Sequence, residues 1–400
     1  MTALTALLPA RAHKALSALE EASLVERRPG GRYAMHDLVR TYATTTAHHL
    51  FKEGQHAALV RVTDFHLHTA HTADRLLYPT RQLLQPDPPT PGVHPHPLPD
   101  AAAATAWLQA EHVTLLATQR AAVALGRHHV VWHLAWTLDV FHYRRGHLRD
   151  ALAVWRAALD AAAHLPDPAT RSRAHRFLGH ASARLNLHEE ATRHLDWALD
   201  LAVRHNDLTE QAHTHRALAA AWEYQGDDRR ALNHARHALD LYRTLGHPVR
   251  EAAALNQVGW HAARLGELDT ARDHCHAAIT LYRHHQDIEG EAATLDSLGL
   301  IAHRTRDHQQ ALDHYRRART LFRALGYAYE GANTLDHLGH PHAALGQHEQ
   351  ARQVWQEALE LYREQGRDED AERVQRQLVD LDSTLESIRP SDSGETTQNA

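Results

Sequence analysis

The stretch GWHAARLGELDTARDHCHAAITLYR, residues 259–283, is one copy of a unit that the chain repeats. Its two alanines, Ala271 and Ala278, each belong to a series that recurs every 40 residues without a slip. The first series is Ala151, Ala191, Ala231, Ala271, Ala311 and Ala351, and the second is Ala158, Ala198, Ala238, Ala278, Ala318 and Ala358. Six copies in one register indicate a single supersecondary unit stacked six times over residues 131–371.

Each copy is predicted to form two antiparallel helices that are separated by a glycine turn. This glycine recurs in most copies, at Gly146, Gly226, Gly266 and Gly346. Asn186 and Arg306 replace it in two copies, and asparagine tolerates the left-handed backbone of such a turn better than arginine does. A second glycine column lies 12 residues before the first alanine series, at Gly259, Gly299 and Gly339. Small residues there are expected to let the two helices approach closely.

A small residue, an alanine 12 residues later and another alanine seven residues after that resemble the tetratricopeptide repeat. The copies here are about 40 residues long, against the usual length of about 34. The aromatic residue between the alanines is Trp155, Tyr315 or Trp355, and it becomes Leu195, Ala235 or Cys275 in the other copies. Cys275 is therefore predicted to be a buried filler. The resemblance implies an all-α fold, a right-handed tetratricopeptide-repeat superhelix.

Two features are predicted near the C-terminus. Pro341 falls inside the first helix of the sixth repeat, where it removes a hydrogen bond, so a kink or a helix break is expected near His340. Residues 372–388 are predicted to form a capping helix over the last repeat, and the polar residues 389–400 are predicted to be a disordered tail.

The region before the repeats divides into four segments. Residues 1–50 have the pattern helix, short hairpin, helix, which is typical of the back half of a winged-helix unit. Residues 51–85 are predicted to be a helical connector, and residues 86–99 are a proline-rich linker, interpreted as a semi-rigid spacer or alternatively as a ligand for a proline-reading domain. Residues 100–130 are predicted to form a helical cap of the solenoid, with Asp100 as N-cap.

Two strings on either side of the linker resemble the regulator family called STAND, which includes SARP-type regulators of antibiotic synthesis. Residues 19–25 and 31–43 are similar to the end of the NB-ARC region of that family, and Met35, His36 and Asp37 match its MHD motif. The string from Trp107 to Glu111 resembles the segment just before the family's repeats. By this resemblance, His36 corresponds to a histidine that senses the β-phosphate of ADP.

The rest of that nucleotide site is missing from this sequence. A phosphate-binding Walker A loop needs Gly-Lys followed by Ser or Thr, because the lysine must reach the phosphates. The only lysines are Lys14 and Lys52, and neither stands in such a string. His36 is therefore expected to be structural or vestigial, and no cofactor is predicted. The alternative is an ADP-sensing part of a split NB-ARC regulator, completed by a separate polypeptide.

Composition limits the function classes. The 400 residues carry a net charge of -6, which argues against direct nucleic-acid binding, and no run is long and apolar enough for a membrane helix. A single cysteine, Cys275, excludes an internal disulfide and fits a cytoplasmic protein. The 39 histidines are scattered, and composition bias explains them better than a metal-rich protein does.

The groove of the predicted superhelix is lined by residues about four apart on the first helix of each repeat. The candidate binding residues are His133, Trp136, Tyr143, Arg173, Arg176, His180, Arg216, Asn256, Trp260, Asp296, His303 and Asp336. Arg173, Arg176 and Arg216 make the middle of this groove basic, and Asp296 and Asp336 make its end acidic. We expect a protein or peptide segment to bind there through its acidic groups. The alternative is that these residues only solvate the concave face.

Other functions have weaker signals. No His-Glu-x-x-His, Gly-x-Ser-x-Gly or phosphate-loop motif is present, so no catalytic residue is predicted. The pairs His68/His71 and His129/His133 each form half a metal site, but the sequence places no third ligand, and no metal is predicted. The prediction is thus a non-catalytic interaction and sensing module of a STAND-like bacterial transcriptional or signalling regulator. A stand-alone adaptor with a histidine-based metal site is the alternative, and self-association is left open.

Overall fold

The computed structural model describes residues 9–28, 32–50, 52–78, 81 and 84–388, and in these ranges the protein is almost entirely helical. The first elements are helix α1 (Pro9–Glu21), strands β1 (Glu26–Arg28) and β2 (Arg32–Ala34), and helix α2 (Asp37–Leu50). The two strands pair antiparallel, with Glu26 opposite Ala34. The helix, hairpin and helix order agrees with the prediction for residues 1–50, whereas the winged-helix interpretation stays a prediction. Residues 29–31, which join the two strands of the predicted hairpin, and the predicted tail at 389–400 lie outside the described residues.

Fifteen further helices follow in the described part of the chain. They are α3 (Lys52–Leu77), α4 (Ala101–Ala124), α5 (His128–Arg145), α6 (Leu148–Ala162), α7 (Pro168–Arg184), α8 (His188–Arg204), α9 (Leu208–Tyr224), α10 (Asp228–Leu245), α11 (Pro248–Arg264), α12 (Leu268–His284), α13 (Ile288–Arg304), α14 (His308–Leu325), α15 (Ala328–Ala344), α16 (His348–Glu364) and α17 (Asp368–Ile388). Helices α5 to α16 form the six predicted helix pairs, and α17 follows them. Within the described ranges, none of these helices combines the length and the apolar character needed to cross a membrane.

The chain divides into two compact units. The first contains Met1–Phe141 and Ala153–Thr170, and the second contains His142–Leu152 and Arg171–Ala400. In the first unit, α3 and α4 pack together around an apolar core that includes the buried Leu108. Asp100 caps α4 as predicted, since its carboxylate accepts a hydrogen bond of 2.8 Å from the backbone N–H of Ala103.

The proline-rich segment of the first unit has neither helix nor strand, but it does not act as the predicted spacer. Its Thr90 donates hydrogen bonds of 2.8 and 2.5 Å, from the backbone and the hydroxyl, to the buried carboxylate of Asp64 on α3. Arg127 lies 2.7 Å from the same carboxylate. Burial raises the pKa of Asp64, but the hydrogen bonds from Thr90 and the charge of Arg127 more than offset this and lower it. The carboxylate of Asp64 therefore attaches the proline-rich segment to the surface of α3.

The repeats of the second unit pack as the alanine and glycine columns predict. Ala271 and Ala278 are fully buried between the helices of their repeat. A Cβ atom added to Gly299 would lie 2.6 Å from the ring of Tyr315, and one added to Gly339 would collide with Trp355. The residue between the alanines thus fills the space that the glycine leaves open, and Cys275 does so in its copy. Burial raises the pKa of the Cys275 thiol to about 12.

The turn within each repeat is left-handed, as predicted. The φ angle is +85° at Gly266, +56° at Asn186 and +65° at Arg306. A second series of left-handed residues ends the second helix of the repeats, a feature that sequence analysis missed. Its members are Asn206, Gly246, Gln286, Gly326 and Gly366. Arg306 and Gln286 therefore carry backbone strain that a glycine would not.

Helix α15 runs through Pro341 without interruption, so of the two predicted outcomes a helix break is wrong, and a kink near His340 stays a prediction. The carbonyl of Pro341 accepts a hydrogen bond of 3.1 Å from the N–H of Leu345. The preceding turn is supported by Trp355, whose Nε1 donates 3.1 Å to the carbonyl of Asp336. Because Pro341 and Gly339 are buried, packing against α16 outweighs the hydrogen bond that proline removes. Helix α17 buries Val374 and Leu378 on the last repeat.

Candidate functional site

The first helices of repeats 2, 3 and 4 carry arginines that lie close together on what we call the groove face. Arg173 and Arg176 come from α7, Arg216 from α9 and Arg250 from α11. Glu210, in the first turn of α9, is only 2% exposed. Its carboxylate accepts hydrogen bonds of 2.6 and 3.3 Å from Arg176 and lies 4.0 Å from Nε of Arg173. The structure brings the three predicted arginines together and adds a carboxylate and a fourth arginine.

Glu210 and Arg250 were not predicted, because their position in the repeat lies outside the helix positions assigned to the groove. The two residues are 40 apart, one turn before the positions that were considered. The column consists of Thr170, Glu210, Arg250, Gly290 and Glu330. Glutamate also has a physical reason to lie in the first turn of α9, where the helix dipole favours a negative charge. Comparing this column across copies would have identified both residues.

The groove face carries an excess of positive charge around these arginines. Burial lowers the pKa of Arg250, and the charges of Arg216 and Arg176 lower it further. Burial and three neighbouring arginines, among them Arg216 and Arg176, hold the pKa of His180 well below its ordinary value. His213 is shifted in the same direction by burial and by Arg176 and Arg250. Both histidines are therefore neutral at pH 7, and the arginines carry the charge.

Two arginines of the second unit, Arg216 and Arg184, each have a buried nitrogen that makes no hydrogen bond within the described structure. This nitrogen is Nε in both side chains. The Arg184 guanidinium lies 3.9 Å from the ring centre of Tyr143 and 5.2 Å from that of Tyr329. Tyr143 in turn donates a hydrogen bond to the carboxylate of Glu330 on α15. Tyr143 thus lies beside the last repeat of the second unit, in a cluster that contains Arg184.

The predicted acidic end of the groove is neutralised by two partners that sequence analysis did not pair with it. Asp296 lies 2.9 Å from Nδ1 of His337, and Asp336 forms an ion pair with Arg373 of α17. Burial lowers the pKa of His337, but the charge and hydrogen bond of Asp296 more than offset this and raise it. The charges of Asp296 and Asp336 are therefore compensated by ion pairs within the protein.

Three other predicted groove residues also make contacts within the second unit. Nε1 of Trp260 donates a hydrogen bond of 2.5 Å to Glu223. Asn256 lies 3.9 Å from the sulfur of Cys275. The Nδ1 atom of His303 lies 3.1 Å from that of His308, and burial lowers the pKa of His303 to about 4.

The remaining groove candidates, His133 and Trp136, lie in the first unit. Trp136 is 5% exposed, and the Arg81 guanidinium covers its ring at 4.2 Å. Burial lowers the pKa of His133 to about 4, and the charges of His129 and His71 contribute to this shift. The structure thus brings the two predicted half metal sites near each other, although their nitrogens do not converge on one point as a ligand set.

The MHD-like motif joins the hairpin to α2. Met35 is half-buried, whereas His36 and Asp37 are exposed. Nδ1 of His36 accepts a weak hydrogen bond of 3.4 Å from the backbone N–H of Leu38, and Asp37 lies 3.5 Å from Arg40. These contacts lie at the start of α2, and the structural role of His36 stays a prediction.

Two family models match the repeats of the second unit. Both describe the tetratricopeptide repeat, and they cover residues 250–324 and 332–364. The helix pairs within these matched residues are tetratricopeptide repeats. The glycine and alanine columns and the buried side chains between them are the packing signature of this all-α superhelix.

Two curated relatives are regulators from the genus Streptomyces. The chain is 32% identical over 259 residues to the regulatory protein AfsR of Streptomyces griseus and 28% identical over 261 residues to AfsR of Streptomyces coelicolor. Each match covers 63% of this chain and 26% of the relative, so the chain spans about a quarter of these regulators. The similarity supports a protein-interaction or sensing module of a regulator, built on tetratricopeptide repeats.

One solved structure shares the fold over most of its length. It is a Rap protein complexed with Competence and Sporulation Factor, to which this chain is 14% identical with a TM-score of 0.51. The match covers 88% of this chain and 93% of the Rap chain. The likeness is one of fold, and it agrees with the tetratricopeptide superhelix.

Proposed function

We propose that this chain is the non-catalytic sensing and interaction module of a STAND-like bacterial regulator, and that its groove face binds an acidic peptide segment of a partner. The observation that carries the proposal is the charge of the groove face. Arg173, Arg176, Arg216 and Arg250 lie close together there, and the carboxylate of Glu210 pairs with Arg176 and Arg173 only. Grouping like charges costs free energy that a bound anion would recover.

The arginines differ in how free they are to bind a ligand. Arg176 is committed to Glu210 and is only 9% exposed. Arg216 is more accessible, and its Nε has no hydrogen-bond partner in the described structure. A carboxylate from a peptide can accept paired hydrogen bonds from a guanidinium, which is the strongest type of hydrogen bond in proteins. Arg216 and Arg250 are therefore the expected contacts for the acidic groups of the ligand.

The Competence and Sporulation Factor held by the Rap protein gives a precedent for ligand binding on this architecture. For this chain, the arginines of the groove face define the charge of the expected ligand and leave its amino-acid sequence open.

A display library of random peptides tests the proposal with the full chain as bait. We expect the wild-type protein to enrich peptides that carry two or more acidic residues. A selected peptide, measured by fluorescence anisotropy, should bind at least about tenfold more weakly to Arg216→Glu, because reversal removes a charge-assisted hydrogen bond and adds repulsion. Affinity should also fall as salt is raised.

The matched control is Arg229→Glu, which makes the same change of charge at an exposed position of α10. It should leave the affinity within about twofold of the wild type, since exposed charges are screened. Arg176→Glu is avoided because it would place a second carboxylate against Glu210 and disturb folding. Enrichment of neutral or basic peptides, or equal losses in Arg216→Glu and Arg229→Glu, would refute acidic-peptide binding on this face.

A further inference from the structure

Three histidines of the third repeat converge between its two helices. His215 lies on α9, and His234 and His237 lie on α10. Their nitrogens include a set of three, one from each ring, that all lie within 4.8 Å of one another. The spacing of three residues between His234 and His237 places both on one side of α10. Sequence analysis missed the set because its members come from two helices and are 19 and three residues apart.

The closest pair already has nearly the separation of two ligands on one metal. Nδ1 of His215 lies 3.0 Å from Nδ1 of His234. Zinc binds histidine nitrogen at about 2.0–2.1 Å, so two nitrogens on one tetrahedral zinc lie roughly 3.4 Å apart. The present separation of the two nitrogens differs from this value by only a few tenths of an ångström. The rings of His215 and His237 have centres 5.0 Å apart, which brings the third ligand within reach.

The second repeat contains the same arrangement without the third ligand. His175 and His194 stand 40 residues before His215 and His234, and their Nδ1 atoms lie 2.9 Å apart. The position of His237 is occupied there by Trp197. A histidine pair alone is explained by one N–H···N hydrogen bond, so the pair in repeat 2 needs no metal. The third histidine is what distinguishes repeat 3.

We propose that His215, His234 and His237 bind a divalent transition metal of the zinc type through their three imidazoles. Three protein ligands leave a fourth position of the tetrahedron for water or for a group from a partner. The ion would connect α9 to α10 and so stabilise the third repeat. The proposal is independent of peptide binding, because none of the three histidines belongs to the arginine cluster of the groove face.

The protonation and exposure of the histidines agree with this assignment. Burial and the neighbouring His234 lower the pKa of His215 to about 4, and burial also lowers the pKa of His234. Both rings are therefore neutral at pH 7, which is the form that binds metals. His215 and His234 are half-buried and His237 is exposed, so an ion can reach the site from solvent.

Zinc titration of the full, metal-free chain tests the proposal, with calorimetry for stoichiometry and Co²⁺ absorption as a probe of tetrahedral coordination. The variant His237→Trp gives repeat 3 the residue of repeat 2, and Trp197→His does the reverse. We expect the wild type to bind one tight equivalent, His237→Trp to lose it, and Trp197→His to gain a second. Loss of a residue that binds the metal directly should weaken zinc binding by more than the roughly 10- to 100-fold that loss of a hydrogen-bond partner of a ligand costs.

Zinc should also raise the melting temperature of the wild type but not that of His237→Trp, because a ligand of the folded state stabilises it. His237 is exposed, so this variant is expected to fold like the wild type in the absence of metal. A second variant, His215→Leu, uses the residue found at the same position of repeats 4 and 5, Leu255 and Leu295. Equal zinc stoichiometry and equal Co²⁺ spectra in wild type and His237→Trp would assign the binding to other histidines and overturn the proposal.

Discussion

Replacement of Glu210 by glutamine removes the carboxylate that pairs with the arginines of the groove face while keeping the shape of the side chain. Glu210 is 2% exposed and Arg176 is 9% exposed, and two hydrogen bonds join them. Removing one partner of such a buried pair leaves the other charge uncompensated, which costs about 3–5 kcal/mol. Glutamine still accepts one hydrogen bond from Arg176, so we expect a loss near the lower limit of that range.

Glu251→Gln is the matched control, since it makes the same change in the neighbouring repeat. Glu251 accepts a hydrogen bond of 3.0 Å from Arg243, but that arginine side chain is 52% exposed. Exposed ion pairs contribute about 0.2–1 kcal/mol, so this variant should be much closer to the wild type.

Urea unfolding followed by circular dichroism measures both variants, with the melting temperature as a second observable. Repeat proteins can unfold in more than one step, so the transition that includes repeats 2 and 3 is the one to compare. If Glu210→Gln cost no more than Glu251→Gln, the assignment of Glu210 as the buried counter-charge of the arginine cluster would be refuted. Partial recovery of Glu210→Gln by an acidic peptide would connect stability to ligand binding.

Three other predictions concern the repeats. Gly339→Ala should destabilise the fold by about 1–3 kcal/mol through overpacking, whereas Gly331→Ala in the same helix, where a Cβ meets nothing within 4 Å, should stabilise it by about 0.5–1 kcal/mol in urea unfolding. Arg306→Gly should raise the free energy of unfolding by about 1 kcal/mol because φ is +65° at this exposed position, and a decrease would show that the turn is not strained. The raised pKa of His337 means that the protonated ring is stabilised in the folded state, so its contribution is complete below the unfolded pKa and is lost as pH rises through the folded pKa. Melting temperatures above pH 6 should therefore decrease with pH in the wild type more than in His337→Gln, provided that Asp296 is its partner; parallel curves would contradict this.

Much of the repeat architecture was predictable because its signals are local and periodic. The alanines of the two columns are fully buried except Ala151, which is half-buried. The glycine before them faces the large residue between them, as at Gly299 and Tyr315. The left-handed turns also follow from single residues, since glycine and asparagine are suited to positive φ. Helix α15 is the exception. Proline is unfavourable inside a helix, but the packing of the buried Pro341 outweighs the hydrogen bond that it removes.

The candidate site was predicted only in part because pairing between charges depends on which helices come together. Arg173, Arg176 and Arg216 could be placed on the groove face from the spacing of helix positions. That Glu210 neutralises part of their charge, and that His337 neutralises Asp296, depends on contacts between residues 34 and 41 positions apart. No local pattern in a single copy of the repeat indicates such a pair.

By itself, the sequence determined the repeat, its length, its buried columns and the left-handed turn inside each helix pair, because each depends on residues that recur at a constant spacing within one helix pair. Only the tertiary structure decided which charges remain available for a ligand and which histidines converge. Those properties depend on side chains from different helices, and their distances follow from how the repeats stack. The 40-residue spacing shows which positions differ between copies. The stacking of α7, α9 and α11 brings the arginines at such positions together around one buried carboxylate.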